Sequence, residues 1–190
     1  MPPKIKISKE EIISTAISIV REKGMAAVNA REIAKRLHCS TQPVFSNYTA
    51  MAQLYEDVIQ QAKCLYQQSI HQEMGNGRYP AYKASGMAYI RFAKEEKELF
   101  RLLFMRDRSE ETITEERQEA AEFVELLACR TGLDKETAYF FHLEMWIFVH
   151  GIATMVATSY LDWGEETVSQ VLTDAYLGLV SRFQQKKEEP

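Results

Sequence analysis

The sequence predicts an all-α protein of about nine helices, and three observations carry that prediction. Glycine (8) and proline (5) are scarce in a chain of 190 residues, which disfavours a turn-rich β protein. Apolar residues recur at the spacing of one helix face along most of the chain. Helix-start signatures precede several of these runs: Ser8 with Glu11, Asn29 with Glu32, and Asp134. With 46% hydrophobic residues, the chain has enough apolar material for one core or two small ones.

The first helix spans Ser8 to Lys23, with Ile12, Ala16, Ile19 and Val20 on its apolar face and Gly24 as its stop. A second helix follows Asn29 and ends near Leu37. His38 occupies the turn after it, where a left-handed backbone is often needed; His tolerates that conformation better than most residues. Ser40 offers an N-cap hydroxyl for a third helix, Thr41 to Asn47, whose proline sits in the permissive first turn. Thr49 is the expected cap of a long fourth helix reaching Glu73. Gly75 to Pro80 reads as a loop. Further helices are expected over 81–94, 99–105, 113–130, 134–161 and 165–184, with 106–111 a polar loop. No internal repeat or low-complexity segment interrupts this series.

Charge is divided unevenly. Residues 1–48 hold eight Lys/Arg and four Asp/Glu, a balance of +4; the remainder hold 15 and 23, a balance of −8. A basic head on an acidic body points to a polyanion at one end only. Cys39, Cys64 and Cys129 are odd in number and far apart, with no metal-ligand spacing. They argue against a disulfide framework or a structural zinc and for a reducing cytoplasm. The opening MPPKIKISKEE lacks the apolar run of a signal peptide. Residues 140–161 are apolar enough to raise the question of a membrane span, but Glu144 would be costly in lipid. A buried core helix is the better reading, and no membrane partner is expected.

Two short helices joined by a tight turn, Ile33 to Tyr48, outline a helix-turn-helix, whose second helix enters the major groove of double-stranded DNA. Thr41, Gln42, Pro43 and Ser46 are the side chains expected at base edges. Gln bonds adenine in a bidentate way, and Pro or a Thr methyl touches a thymine methyl. Lys4 and Lys6 form a basic arm with Lys9, and Arg31, Asn47 and Tyr48 are placed to hold phosphate. Each also has a plain alternative, a solvated polar side chain or, for Tyr48, core packing. Catalysis has little support: there is no Gly-rich phosphate loop, GxSxG or HExxH. No enzyme activity, cofactor or metal is expected.

Ile12, Ala16, Gly24, Arg31, Ile33, Ala34, Ser40, Val44, Phe45 and Tyr48 make residues 8–59 resemble the DNA-binding domain of TetR-family transcriptional repressors. Trp146 to Thr154 is similar to a Trp…His-Gly segment of one subgroup's ligand domain. The resemblance implies a three-helix DNA-binding domain, residues 1–49, and a larger helical domain for effector binding and dimerisation, residues 50–190. It implies a repressor acting on a pseudo-palindromic operator and released by an unidentified small-molecule effector. Tyr89, Phe92, Phe104, Phe123, Trp146 and His150 lie on helices that line the family's pocket; the same aromatics would equally fill a core. A homodimer through the last two helices is implied as well.

Three departures from the family pattern stand out: His38 replaces a turn glycine, Phe45 and Asn47 replace a Tyr and a His, and Met51 replaces a phosphate-contacting Lys. The loss of that cation lowers the expected salt dependence by up to about one unit of slope. The competing reading is a helical small-molecule-binding protein or enzyme that does not bind DNA.

Overall fold

The computed structural model describes residues 7–107 and 113–188, with side chains over 7–107 and 117–184. The described residues form nine α-helices and no strand: α1 (Lys9–Lys23), α2 (Ala30–Arg36), α3 (Gln42–Asn47), α4 (Met51–Gly75), α5 (Ala81–Glu95), α6 (Lys97–Phe104), α7 (Ile113–Thr131), α8 (Lys135–Ala157) and α9 (Glu165–Glu188). A single 3-10 turn, Met25–Ala27, links α1 to α2. They group into two compact units. The first holds the residues up to Gln67 together with Glu96–Arg106; the second holds Gln68–Glu95 and the residues from Asp107 on. The expected boundary at 49/50 falls inside the first unit, which also takes in most of α4 and all of α6.

In the first unit, local chemistry sets the helix ends. Ser8 Oγ accepts from the Glu11 amide (3.1 Å) while the Ser8 amide donates to Glu11 Oε2 (2.7 Å), closing the capping box. Asn29 Oδ1 accepts from the amides of Arg31 and Glu32. Gly24 has φ +76°, and Glu98 Oε2 lies 3.0 Å from where a Cβ would stand. The positive φ demands glycine there; the Glu98 carboxylate ends a flexible side chain and sets no such demand. The core is built from Ile12, Ile19 and Val20 of α1, Ile33 of α2, Val44 of α3, Leu54 and Val58 of α4, and Leu99 and Phe100 of α6. Tyr55 Oη donates to the Val28 carbonyl (3.0 Å), fastening α4 to the segment before α2.

Two expected caps differ. Thr41, not Ser40, precedes α3; its backbone is already helical (φ −73°, ψ −11°) and its hydroxyl makes no cap bond. Thr49 does not accept from α4; its amide and hydroxyl both donate to Gln53 Oε1.

The second unit is organised on α8, which packs on α5, α7 and α9. Asp134 caps it, accepting from the amides of Glu136 and Thr137. Its buried face is Phe141, Met145, Val149, Ile152 and Val156. Gly86 lets α5 lie close: a Cβ there would meet Leu172 at 3.3 Å and Val149 at 3.5 Å. The helix stops at Ala157 rather than Leu161, because Ser159 turns left-handed (φ 60°). The amides of Tyr160 and Leu161 then both donate back to the Met155 carbonyl. Of the expected loop at 106–111, residues 108–111 lie outside the described residues.

Glu73 is 5% exposed. Arg91 reaches it at 2.6 Å and Glu165 at 3.2 Å, and Arg78 also pairs with Glu165. The Arg91 guanidinium holds the Glu73 carboxyl below its usual range. This network ties the end of α4 and α5 to the start of α9.

Candidate functional site

The turn between α2 and α3 is closed by the backbone. The His38 amide donates to the Lys35 carbonyl (3.3 Å) and the Cys39 amide to that of Ala34 (3.0 Å). His38 itself is left-handed, with φ 51°. This is the hydrogen-bond pattern of a Schellman stop, which usually employs glycine. The turn residue therefore works without the family's glycine, at a strain cost that His bears better than a β-branched residue.

Beyond the turn, α3 buries Val44 and turns Gln42, Phe45, Ser46 and Asn47 outward, with Thr41 and Pro43 half-buried. Two of the expected polar contacts are partly engaged. Ser46 Oγ donates to the Gln42 carbonyl (2.9 Å). Asn47 Nδ2 donates to the Pro43 carbonyl (2.8 Å) and lies 3.4 Å from that of Ile7. Those bonds hold the end of α3 to its own first turn and to the chain before α1.

Tyr48 is 2% exposed, in keeping with core packing, the alternative the sequence leaves for it. The Lys9 ammonium sits 5.0 Å above its ring and pairs with Asp57 at 2.7 Å. Burial, and then the neighbouring Asp57 carboxylate, push the phenol above its ordinary range. Tyr48 is thus a buried support for α3.

Four cations of the basic head are paired with acids, two of them with acids from beyond residue 48. Lys9 pairs with Asp57, Arg21 with Glu96, Lys23 with Glu32, and Arg36 with Glu22 and Glu32. Arg31 and Lys35 are exposed and make no salt bridge among the described residues. They stand four apart on α2, on one face of the helix. Lys35 was not singled out from the sequence, although its spacing from Arg31 gave that signal. Lys4 and Lys6 lie outside the described residues.

The aromatic residues expected to line a pocket separate into groups. In the second unit, Trp146 stacks on His150 (centroids 5.0 Å apart, planes at 13°), and Tyr89 Oη lies 2.9 Å from His150 Nδ1. Thr154 Oγ1 is 3.4 Å from the other ring nitrogen. Phe92 is buried on α5. Phe123 instead stacks on His142 (5.3 Å, 15°), which shares a hydrogen bond with Tyr82 Oη at 3.0 Å. Phe104 belongs to the first unit, where it meets Tyr66 and Phe100.

The sequence reading missed Tyr82 and the pairing of each tyrosine with its histidine. Partners some 60 residues apart leave no local signal. Burial holds His142 neutral, its pKa lowered to about 4, and pushes the Tyr82 phenol up. An open cleft of about 570 Å³ lies elsewhere, between the start of α8 and the end of α9, with Thr137, Phe140, Glu144, Arg182 and Phe183 in its wall. None of the six expected residues lines it. No group of three or more metal-binding side chains occurs among the described residues.

One helix among the described residues, Lys135–Ala157, is long and apolar enough to cross a membrane by length and composition. Its Glu144 is paired with Arg182 (2.7 Å) and its two histidines with tyrosines.

Comparison with known proteins matches residues 82–176 to the family model described as "Tetracyclin repressor-like, C-terminal domain". Curated protein sequences give no match. Among solved structures, a TetR-like transcriptional regulator from Rhodococcus sp. RHA1 is similar over 93% of this chain and 96% of its own, with TM-score 0.65 and 12% identity. The multidrug binding protein EbrR complexed with imidazole is similar over 88% of each chain, with TM-score 0.56 and 20% identity. A TetR-family member from Streptomyces coelicolor A3 is similar over 88% of this chain and 96% of its own, with TM-score 0.56 and 21% identity. At these identities the structural likeness speaks to the fold.

Proposed function

The chain belongs to the TetR-like family of transcriptional regulators, and on that premise we propose that it is a cytoplasmic, homodimeric, DNA-binding repressor released by a small-molecule effector. The observation that carries the reading is α2, its left-handed turn at His38, and α3 presenting Gln42, Phe45 and Ser46 outward. In a helix-turn-helix that exposed face enters the major groove. Thr41, Gln42, Pro43 and Ser46 read base edges. Phosphate is held by Arg31 and Lys35, with Lys4 and Lys6 as an arm.

The second unit supplies dimerisation and release. Phe140, Ile147, Phe148 and Met155 stand exposed on one side of α8, and Leu177 is exposed on α9. Apolar area of that kind suits an isologous contact with a second copy. Two recognition helices then meet a pseudo-palindromic operator about one helical turn apart, or somewhat more. In this reading the effector binds at Tyr89, Trp146 and His150; the stack of Trp146 on His150 and the few polar atoms beside it support that choice, since they suit a small apolar or cationic molecule. The small molecule in the EbrR structure's name supports the reading by analogy of fold. Release requires that the effector bind the DNA-incompatible dimer more tightly than the DNA-competent one.

Selection of bound duplexes from a random pool tests this function. The expected product is an enriched pseudo-palindrome whose binding is lost when Gln42 is replaced by Ala. No enrichment at low salt would leave the helical ligand-binding protein as the better reading.

A further inference from the structure

We infer that Phe45 is a specificity-determining residue that reads the methyl group of a thymine, within an A·T core recognised by α3. The inference rests on the DNA-binding reading of α3 and adds to it the chemistry of the bases read. Phe45 is 56% exposed in the middle of a helix that buries the neighbouring Val44. It lies three residues after Gln42, on the same outward side. A phenyl ring carries no donor or acceptor, so phosphate and the polar base edges give it nothing. The one apolar feature of the major groove is the thymine C5-methyl.

The rest of α3 narrows the choice of base pair. From Cys39 to Ala50 the chain has no Arg, Lys, Asp or Glu. Guanine is most often read by a bidentate Arg or Lys, and cytosine is read by a carboxylate accepting from N4. Neither group is present here. Gln42 is the only side chain of α3 free of bonds among the described residues that is built for a bidentate contact, and its partner is adenine. Ser46 and Asn47 spend donors on the helix backbone. What α3 offers the groove is thus an adenine reader beside a methyl reader, and both belong to A·T pairs.

The test replaces thymine by deoxyuridine, one position at a time, in both half-sites of the duplex selected by the full chain. This exchange removes only the methyl. Burying one such carbon predicts about a fourfold loss of affinity per half-site at one position. Phe45→Ala should weaken binding to the thymine duplex and abolish the difference between thymine and deoxyuridine. Phe45→Leu, which keeps an apolar side chain, should retain part of it. A selected core of G·C pairs would overturn the inference. So would indifference to every deoxyuridine, or the same sensitivity in Phe45→Ala. If Phe45→Ala failed to fold by circular dichroism, the wild-type and Phe45→Leu comparisons would still decide. Failure to select any duplex is a different result and counts against the DNA-binding reading itself.

Discussion

His142 shows how one half-buried side chain links sequence to stability. It stacks on Phe123 and shares a hydrogen bond with Tyr82, and burial lowers its pKa to about 4. The unfolded chain takes a proton at this position near pH 6.5. Between about 6.5 and 4 the unfolded state therefore binds more protons, and folding stability falls as pH falls through that window. From pH 7 to pH 5 the expected loss from this group is about 2 kcal/mol. Urea denaturation of His142→Gln should show an acid-side loss smaller by that amount. An unchanged pH profile would contradict the assignment.

The residues legible in the sequence were those acting on near neighbours: Ser8, Asn29 and Asp134 as caps, and His38 as a left-handed turn. Tyr82 and Tyr89 were not paired with their histidines, and the ion pairs of Arg21 and Lys9 were not foreseen. Those contacts join chain segments that only the fold brings together.

At the level of elements, α5 meets α8 and α9 through a glycine. A methyl at Gly86 would stand in ordinary contact with Val149 Cγ2 (3.5 Å) and require a shift of a few tenths of an ångström only from Leu172 Cδ1 (3.3 Å), the end of an unbranched-β side chain. It would also gain about 1 kcal/mol of helix propensity, so Gly86→Ala should be nearly neutral. Gly86→Val adds branched bulk and should lose about 1–3 kcal/mol, read by thermal or urea unfolding. Equal stability of the two variants would show that the helices are not in close contact there. Helix existence was legible from periodicity and caps, while helix ends were less so. α8 looked continuous to Leu161 because no glycine or proline marks its stop; a serine at φ 60° makes the turn instead. α6 read simply as a short helix, yet it belongs to the first unit because Leu99 and Phe100 complete that core. Such membership depends on contacts distant in sequence.

For the whole molecule, the proposed function asks for DNA recognition by the first unit and for pairing through the exposed apolar residues of α8 in the second. The charge asymmetry of the sequence overstated the first of these. Four of the six cations at 9–36 are paired internally, so recognition must lean on α3 and on a few remaining cations. Dimerisation through α8 predicts that Ile147→Glu, at a position 59% exposed, leaves the fold intact and yields a monomer in sedimentation equilibrium. A variant that stays dimeric would move the interface elsewhere.

The central claim is sequence-specific DNA binding by this chain. Its most direct test is an anisotropy titration of the full chain against the selected duplex and a scrambled one, between about 50 and 200 mM salt. The account predicts preference for the selected duplex by about a thousandfold or more, with affinity falling as salt rises. Equal affinity for the two duplexes, or no binding to either at the lowest salt, would contradict it.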